Sequence, residues 1–134
     1  MNLNKIFSDK DDLSHIILFI GLLIFIIVVS LIYKNRNKRL EENFGYTIGV
    51  TQEIKRPYNS NDYILYEIKV NEKSYSGSLL DMINVLVPKG KYIVKYDFSN
   101  PNNNKMLKEY KVKDTVFEIP NSGWTQLPME IIDK

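Results

Sequence analysis

The sequence predicts an all-β domain, a small antiparallel barrel or partial barrel of about five to six short strands, preceded by one N-terminal transmembrane α-helix. Two observations support this fold class. The run from His15 to Tyr33 is apolar throughout and carries no charge after its opening histidine. From Phe44 onward, apolar residues recur at every second position in short segments separated by turn formers, which is typical of half-buried strands.

The apolar run has the length of a membrane span. Its roughly 19 residues would cover about 28 Å as a helix, which matches a hydrocarbon core of about 30 Å. The alternative is the core helix of a soluble domain, but such helices keep a polar stripe. Here isoleucine, leucine and phenylalanine surround the whole axis, and we therefore predict a transmembrane helix over residues 15–33.

The flanks of this helix predict its orientation. We divide them into an N-terminal flank, residues 1–14, and a basic juxtamembrane linker, residues 34–43. The linker is richer in basic residues than the leading flank, which favours a cytoplasmic C-terminal domain. No small-residue cleavage site follows the run, so we expect an uncleaved anchor. The residues expected to contact the membrane surface, if they are more than a stop-transfer flank, are Lys34, Arg36, Lys38 and Arg39.

One β domain is expected over residues 44–119, followed by a C-terminal extension over residues 120–134. Its first strand is predicted from the alternation that begins at Phe44 and fades at Arg56-Pro57. The other predicted strands are Tyr63 to Val70, Lys73 to Ser78, Lys91 to Phe98, Met106 to Val112 and Val116 to Ile119. Barrel closure would remove the sheet edges, which otherwise invite pairing with other chains.

The alternation also predicts which residues face the core. In the first strand we expect Phe44, Tyr46, Ile48 and Val50 to face inward, because glycine and threonine occupy the alternate positions. The segment 79–87 fits a short helix as well as an irregular covering segment, and we expect one or two helical turns. The Asn-rich stretch 99–104 is expected to be a turn.

Several short motifs carry a resemblance to a known group of proteins. They are Tyr46-Thr-Ile-Gly-Val50, Tyr66-Glu-Ile-Lys-Val-Asn71, Tyr75-Ser-Gly77, and Gly90-Lys-Tyr-Ile-Val-Lys-Tyr96 with Asn100-Pro101. Over Phe44 to Leu107 the chain resembles a bacterial family of small single-pass membrane-anchored β-domain proteins of unknown function. The resemblance implies a fold and a place in the bacterial inner (cytoplasmic) membrane, but no activity.

The residue types that catalysis requires are not grouped into any recognisable motif. Cysteine is absent and histidine occurs once, as His15, so thiolate chemistry and histidine-rich metal sites are excluded. The glycines do not form a phosphate-binding loop. Asp81, Asp97 and Asp114 each lie next to a turn, where aspartate is ordinarily a cap or turn residue. We therefore predict a protein that is not an enzyme, with no cofactor, no metal and no small-molecule substrate.

The expected function is that of a non-enzymatic membrane-tethered interaction or accessory module, such as a small subunit of a larger membrane protein complex. Its partners would be the lipid bilayer and a membrane protein. The alternative is an oligonucleotide- or oligosaccharide-binding type of barrel at the membrane surface. Nucleic acid is disfavoured because, from Gly45 onward, twelve basic residues face eleven acidic ones. The candidate residues for docking on a partner or on the chain itself are Trp124, Leu127, Tyr58 and Tyr63.

Overall fold

A computed structural model describes residues 10–115 and 118–133. Contacts divide the chain into two compact units, Met1–Lys38 and Arg39–Lys134, which are described separately. The elements are α1 (Lys10–Glu42), β1 (Phe44–Lys55), β2 (Tyr63–Val70), β3 (Lys73–Leu79), β4 (Lys91–Asp97), β5 (Asn100–Lys111) and a short 3-10 turn (Met129–Ile131). One apolar N-terminal helix followed by antiparallel strands is therefore confirmed.

Helix α1 is continuous over 33 residues, or about 50 Å at 1.5 Å per residue. Its part from Leu13 to Glu42 is long and apolar enough to cross a membrane. The large apolar side chains between Ile17 and Tyr33 are exposed around the helix. The helix also continues through residues 34–42, so the basic residues expected to touch lipid lie on a helix and are exposed.

The described residues form one five-stranded antiparallel sheet in the order β3-β2-β1-β4-β5. Strands β1, β2 and β3 follow one another in space. The chain then returns through residues 80–90 to place β4 on the other side of β1, which is the order of a Greek key. Strand β5 follows as a hairpin on β4.

The expected barrel closure is not found, because no backbone ladder joins β3 to β5 in the described sheet. A side chain fills the gap between these edges. Asn104 Nδ2 on β5 donates to the Ser76 carbonyl on β3, with 3.3 Å between the two atoms. The sheet is therefore open, and a partial barrel describes it only loosely.

Tyr66 ties β2 to the same asparagine. Its hydroxyl donates to Asn104 Oδ1 at 2.7 Å and accepts a hydrogen bond from the Met106 amide at 3.1 Å. Gly77 leaves room for this arrangement, because a Cβ there would collide with the Tyr66 hydroxyl and with Asn104. The Tyr66 phenol thus links β2 to β5, and Asn104 extends the link to Ser76 on β3.

The prediction of which β1 residues face inward is wrong for the main core. Gly45, Thr47, Gly49 and Thr51 of β1 share their face with the largest buried cluster, which consists of Tyr66, Ile68, Val70, Tyr92, Val94, Tyr96 and Met106. The physical reason is crowding. A Cβ on Gly49 would lie 2.5 Å from Val94 Cγ2, so small residues are needed between two strands that carry large ones.

The apolar residues of β1 contribute instead to a second cluster on the opposite face of the sheet. It contains the buried residues Ile48, Ile93, Val112, Ile131 and Ile132, with Tyr46, Leu107, Tyr110, Trp124 and Leu127 packed against them. Both faces of β1 and β4 are consequently covered. This explains why Ile93 and Val94, which are adjacent in sequence and belong to different clusters, are both fully buried.

Three further expectations about local structure differ from the observed chain. Residues 79–87 contain no helix, and the segment from Leu80 to Gly90 is a loop with turns. The Asn-rich stretch belongs mostly to β5, since only Phe98 and Ser99 form the turn. Asn103 and Asn104 are accommodated in the strand because one is buried and the other bridges to β3. In the predicted strand 116–119, residues 116–117 lie outside the described residues, and residues 118–119 are not in a strand.

A matched pair of substitutions tests which strand positions face the core. Val94 is fully buried, whereas Lys69 is exposed on β2. We expect Val94→Asp, and equally Ile68→Asp, to unfold the domain through a buried unpaired charge, at a cost above about 4 kcal/mol. Lys69→Asp should change the stability by less than about 0.5 kcal/mol. Chemical denaturation of the full chain in detergent measures both, and similar losses for the exposed and buried positions would contradict the register.

Alternation alone predicts that a substitution at Lys95 has little effect on stability. The Lys95 Nζ, however, lies 3.8 Å from the centroid of the Phe44 ring, so we expect this side chain to contribute. Lys95→Asp should cost about 0.5–1 kcal/mol through loss of this cation–π contact. The same denaturation series measures this difference, and Lys95→Met provides the comparison that keeps an aliphatic side chain.

The linkage through Tyr66 predicts a specific alkaline destabilisation. Burial raises the pKa of Tyr66 to about 12, above the ordinary value of about 10. The folded state therefore holds the phenolic proton more tightly than the unfolded state. The associated stability is fully present below about pH 10 and is lost as the pH rises towards about 12.

We expect Tyr66→Phe to be less stable at neutral pH by about 1–3 kcal/mol, because the Met106 amide and Asn104 lose a buried partner. The variant should also lose part of the pH dependence between about pH 10 and 12. Tyr58 is fully exposed, so Tyr58→Phe is the matched control. Equal pH profiles for the wild type and Tyr66→Phe would show that this phenol does not link the strands.

Candidate interaction surfaces

Exposed apolar residues gather at one end of the sheet. We define the distal surface as Ile54, Tyr58, Leu80, Ile83 and Leu86. Leu80 is 67% exposed, Ile83 71% and Leu86 56%, and Tyr58 is fully exposed. Ile54 pairs with Ile64, which pairs with Leu79, so the loops 56–62 and 80–90 leave the sheet at the same end. Phe44, where the chain enters the sheet, is ten residues before Ile54 on β1, or about 33 Å along the strand.

The loop that carries the three aliphatic residues is fixed in place by Thr51. The Thr51 hydroxyl donates to the Leu86 carbonyl at 2.7 Å and accepts from the Gly90 amide at 2.8 Å. Its backbone amide donates to the Gly90 carbonyl at 2.9 Å, and its carbonyl accepts from the Lys89 amide at 2.8 Å. The Leu86 amide also donates to the Tyr92 hydroxyl at 2.8 Å. Residues 86–90 of the loop are therefore held in place, although the Leu86 side chain is exposed.

Ion pairs neutralise the charges around the distal surface. Glu53 pairs with Lys55 at 2.6 Å and Arg56 with Asp62 at 3.3 Å. Asp81 at the start of the loop pairs with Lys108 of β5.

These contacts also shift the titration of two of the paired groups. The hydrogen bond from Lys108, followed by that from the Ile83 amide, holds the pKa of the Asp81 carboxyl below its usual range. Glu53 raises the pKa of Lys55. Both shifts favour the charged forms of Asp81 and Lys55.

A cleft of about 730 Å³ lies on the opposite side of β1 from the main core. Ile48 and Val50 of β1 form its floor, and residues 119–121 contribute to its opposite wall. The lining consists of Thr47, Ile48, Val50, Gln52, Glu67, Lys69, Asn71, Glu72, Lys91, Thr115, Ile119, Pro120 and Asn121. It therefore combines aliphatic side chains with two lysines and two glutamates.

The C-terminal extension packs on the sheet of its own chain. Tyr46 and Trp124 exchange two backbone hydrogen bonds of 2.7 Å, and the Asn71 amide donates to the Asn121 carbonyl at 2.7 Å. Trp124 thereby pairs with the part of β1 that lies beyond the end of β2. The Tyr96 hydroxyl also donates to the Ser122 carbonyl.

The end of the extension pairs with the end of β5. Val112 and Ile132 form a bridge, and the Lys113 amide donates to the Ile131 carbonyl at 2.9 Å. Between these two attachments, Trp124 and Leu127 pack against the second cluster and are half-buried.

The four aromatic or aliphatic docking candidates therefore lie in two places. Tyr58 and the half-buried Tyr63 are at the distal end, whereas Trp124 and Leu127 contact the sheet itself. Sequence reasoning missed Leu80, Ile83 and Leu86 as surface residues. Their apolar run was visible, but its period did not distinguish a covering segment from an exposed one. It also missed Lys69 and Lys91 in the cleft, which no sequence pattern marks.

Within residues 10–115 and 118–133, no group of three or more histidine, cysteine, aspartate or glutamate residues could hold a metal ion. Tyr66 has a shifted pKa, but it is a buried structural residue. Comparison with protein-family models, curated proteins and solved structures finds no match. The resemblance to bacterial membrane-anchored β-domains stays an expectation.

Proposed function

We propose that this protein is a non-enzymatic membrane-tethered interaction module, a small subunit of a larger membrane protein complex, which binds a protein partner through its distal surface. The observation that supports this most is the exposure of Leu80, Ile83 and Leu86 on a loop held by Thr51. Single exposed aliphatic residues are ordinary, but several on loops that leave a sheet at the same end are typical of an interaction site.

The charge of the distal surface favours a protein partner over lipid. The acidic residues around this surface pair with Lys55, Arg56 and Lys108. Lys89 adds a single positive charge in the same loop. Segments that hold anionic lipid usually present about four to eight basic residues. A surface of exposed aliphatic side chains with paired charges around it instead resembles the core and rim of a protein interface.

We assign lipid contact to the helix and to the basic residues that follow its apolar run, Lys34, Arg36, Lys38 and Arg39. Each such charge near an anionic surface contributes about 1 kcal/mol. The greater basic content of this flank favours a cytoplasmic β domain, and the membrane we propose is a bacterial inner membrane. The exposed apolar length of α1 supports the membrane assignment.

The second candidate function is ligand binding by an oligonucleotide- or oligosaccharide-binding type of domain. It is favoured by the five-stranded Greek-key order and by the full exposure of Tyr58. The balanced charge of the chain after Gly45 disfavours nucleic acid. Salt-sensitive retention of the full chain on single-stranded nucleic acid would support this candidate.

Photo-cross-linking in native membranes tests the proposed function. A benzophenone amino acid replaces Ile83 in the full chain, and Glu109, exposed on β5, is the matched control position. Membranes are washed with alkaline carbonate before illumination. We expect the chain to stay in the pellet and to form one discrete adduct with a protein from position 83 but not from position 109.

The same partner should co-purify in stoichiometric amount with the wild type and with Glu109→Lys, but at least tenfold less with Ile83→Asp. Release of the chain by carbonate would overturn the membrane tether. Adducts with lipid alone, or equal adducts from both positions, would overturn the protein-binding role of the distal surface.

A further inference from the structure

We propose that the cleft beside β1 and β2 binds an extended peptide segment in which an acidic and a basic residue flank an aliphatic one. This site is separate from the distal surface and extends the proposed function. Three features support this: the order of charges along the cleft, the absence of ion pairs to Lys69 and Lys91 among the described residues, and the apolar wall opposite the sheet.

The register of the sheet sets the order of charges. Val50 pairs with Glu67 on one side and with Lys91 on the other, so these three residues form one row across the cleft. Lys69 follows Ile68, the register partner of Gly49, and therefore lies level with Ile48. Lys69 and Glu67 are about 6.6 Å apart along β2, which is the spacing of side chains on one face of any extended chain.

These charges are available to a ligand. Glu67 Oε1 accepts a hydrogen bond of 2.9 Å from the Ser74 hydroxyl, which fixes the carboxylate without neutralising it. Among the described residues, neither Lys69 nor Lys91 forms an ion pair. A basic and an acidic side chain of a peptide, two positions apart, could therefore pair with Glu67 and Lys69 respectively.

The wall opposite the sheet supplies the apolar contact. Ile119 and Pro120 face the cleft, and the segment is held by the hydrogen bond from the Asn71 amide to the Asn121 carbonyl at 2.7 Å. In an extended peptide the residue between the two charged ones points the opposite way. An aliphatic residue there would contact Ile119 and Pro120 while the charged pair faces the sheet.

The balance of charge distinguishes a peptide from other occupants. The lining has as many lysines as glutamates, so it favours neither a simple anion nor a simple cation. Its volume lies within the range of about 300–1,000 Å³ that is usual for ligand sites. A short extended segment with both signs at the strand spacing matches this lining, whereas an anionic amphiphile would match the lysines alone.

The test uses three labelled pentapeptides and the full chain in lipid nanodiscs, with empty discs as the blank. The peptides are Ser-Asp-Val-Lys-Ser, Ser-Asp-Val-Asp-Ser and Ser-Lys-Val-Lys-Ser, and binding is followed by fluorescence anisotropy. We expect the wild type to bind the mixed-charge peptide at least tenfold more tightly than either like-charge peptide.

Charge reversal should change this preference in a defined direction. Glu67→Lys should favour Ser-Asp-Val-Asp-Ser, and Lys69→Glu should favour Ser-Lys-Val-Lys-Ser, each by at least tenfold. Lys105→Glu on β5 is the matched control and should keep the wild-type preference, as should Ile83→Asp on the distal surface. Thermal unfolding of each variant verifies that the fold is intact.

Three results would overturn the proposal. They are equal or undetectable binding of all peptides by the wild type, an unchanged preference in folded Glu67→Lys and Lys69→Glu, and saturation of the cleft by decanoate but by no peptide. If the wild type shows no peptide preference but still cross-links to a membrane partner from position 83, only the cleft proposal is rejected. If the peptide preference is found but no partner cross-links from position 83, only the role of the distal surface is rejected.

Discussion

The close packing around β1 is the constraint on which the rest of the β unit depends. This strand is central in the sheet and pairs with β2 on one side and β4 on the other. Gly49 lies between Ile68 and Tyr92, where a Cβ would collide with Val94. The small residues of β1 therefore allow large side chains from the neighbouring strands to meet above it, while Ile48 on the opposite face needs a cover of its own.

The C-terminal extension supplies that cover, and its path defines what remains exposed. It pairs with β1 at Tyr46, beyond the end of β2, and with the end of β5 at Val112. The extension leaves a cleft over part of β1 and β2. The distal loop, by contrast, is fixed through Thr51 and presents its aliphatic residues outward. The two surfaces proposed for recognition are thus ones that the packing of β1 leaves uncovered.

Local sequence pattern predicts part of this arrangement. The span of α1 and the strands β1, β2 and β4 follow from composition and alternation, which depend on neighbouring residues alone. The inward face of β1 cannot be predicted in this way. Alternation separates the two faces of a strand, but it does not indicate which face meets the main core when both faces are covered. Closure failed as a prediction because it depends on pairing between β3 and β5, which are distant in sequence, and local alternation carries no information on that pairing. The exposure of Leu80 likewise depends on tertiary contacts that its local pattern does not reveal.

Fluorescence of Trp124 tests most directly that the extension belongs to the fold, since it is the only tryptophan in the chain. The account predicts an emission maximum at shorter wavelength than that of free indole in water, and acrylamide quenching several-fold weaker, in the purified full chain. Gly123→Val should abolish this protection, because Gly123 has a φ of 69° and its Cβ would collide with the Tyr46 carbonyl. A solvent-like emission with full quenching in the wild type would contradict the account.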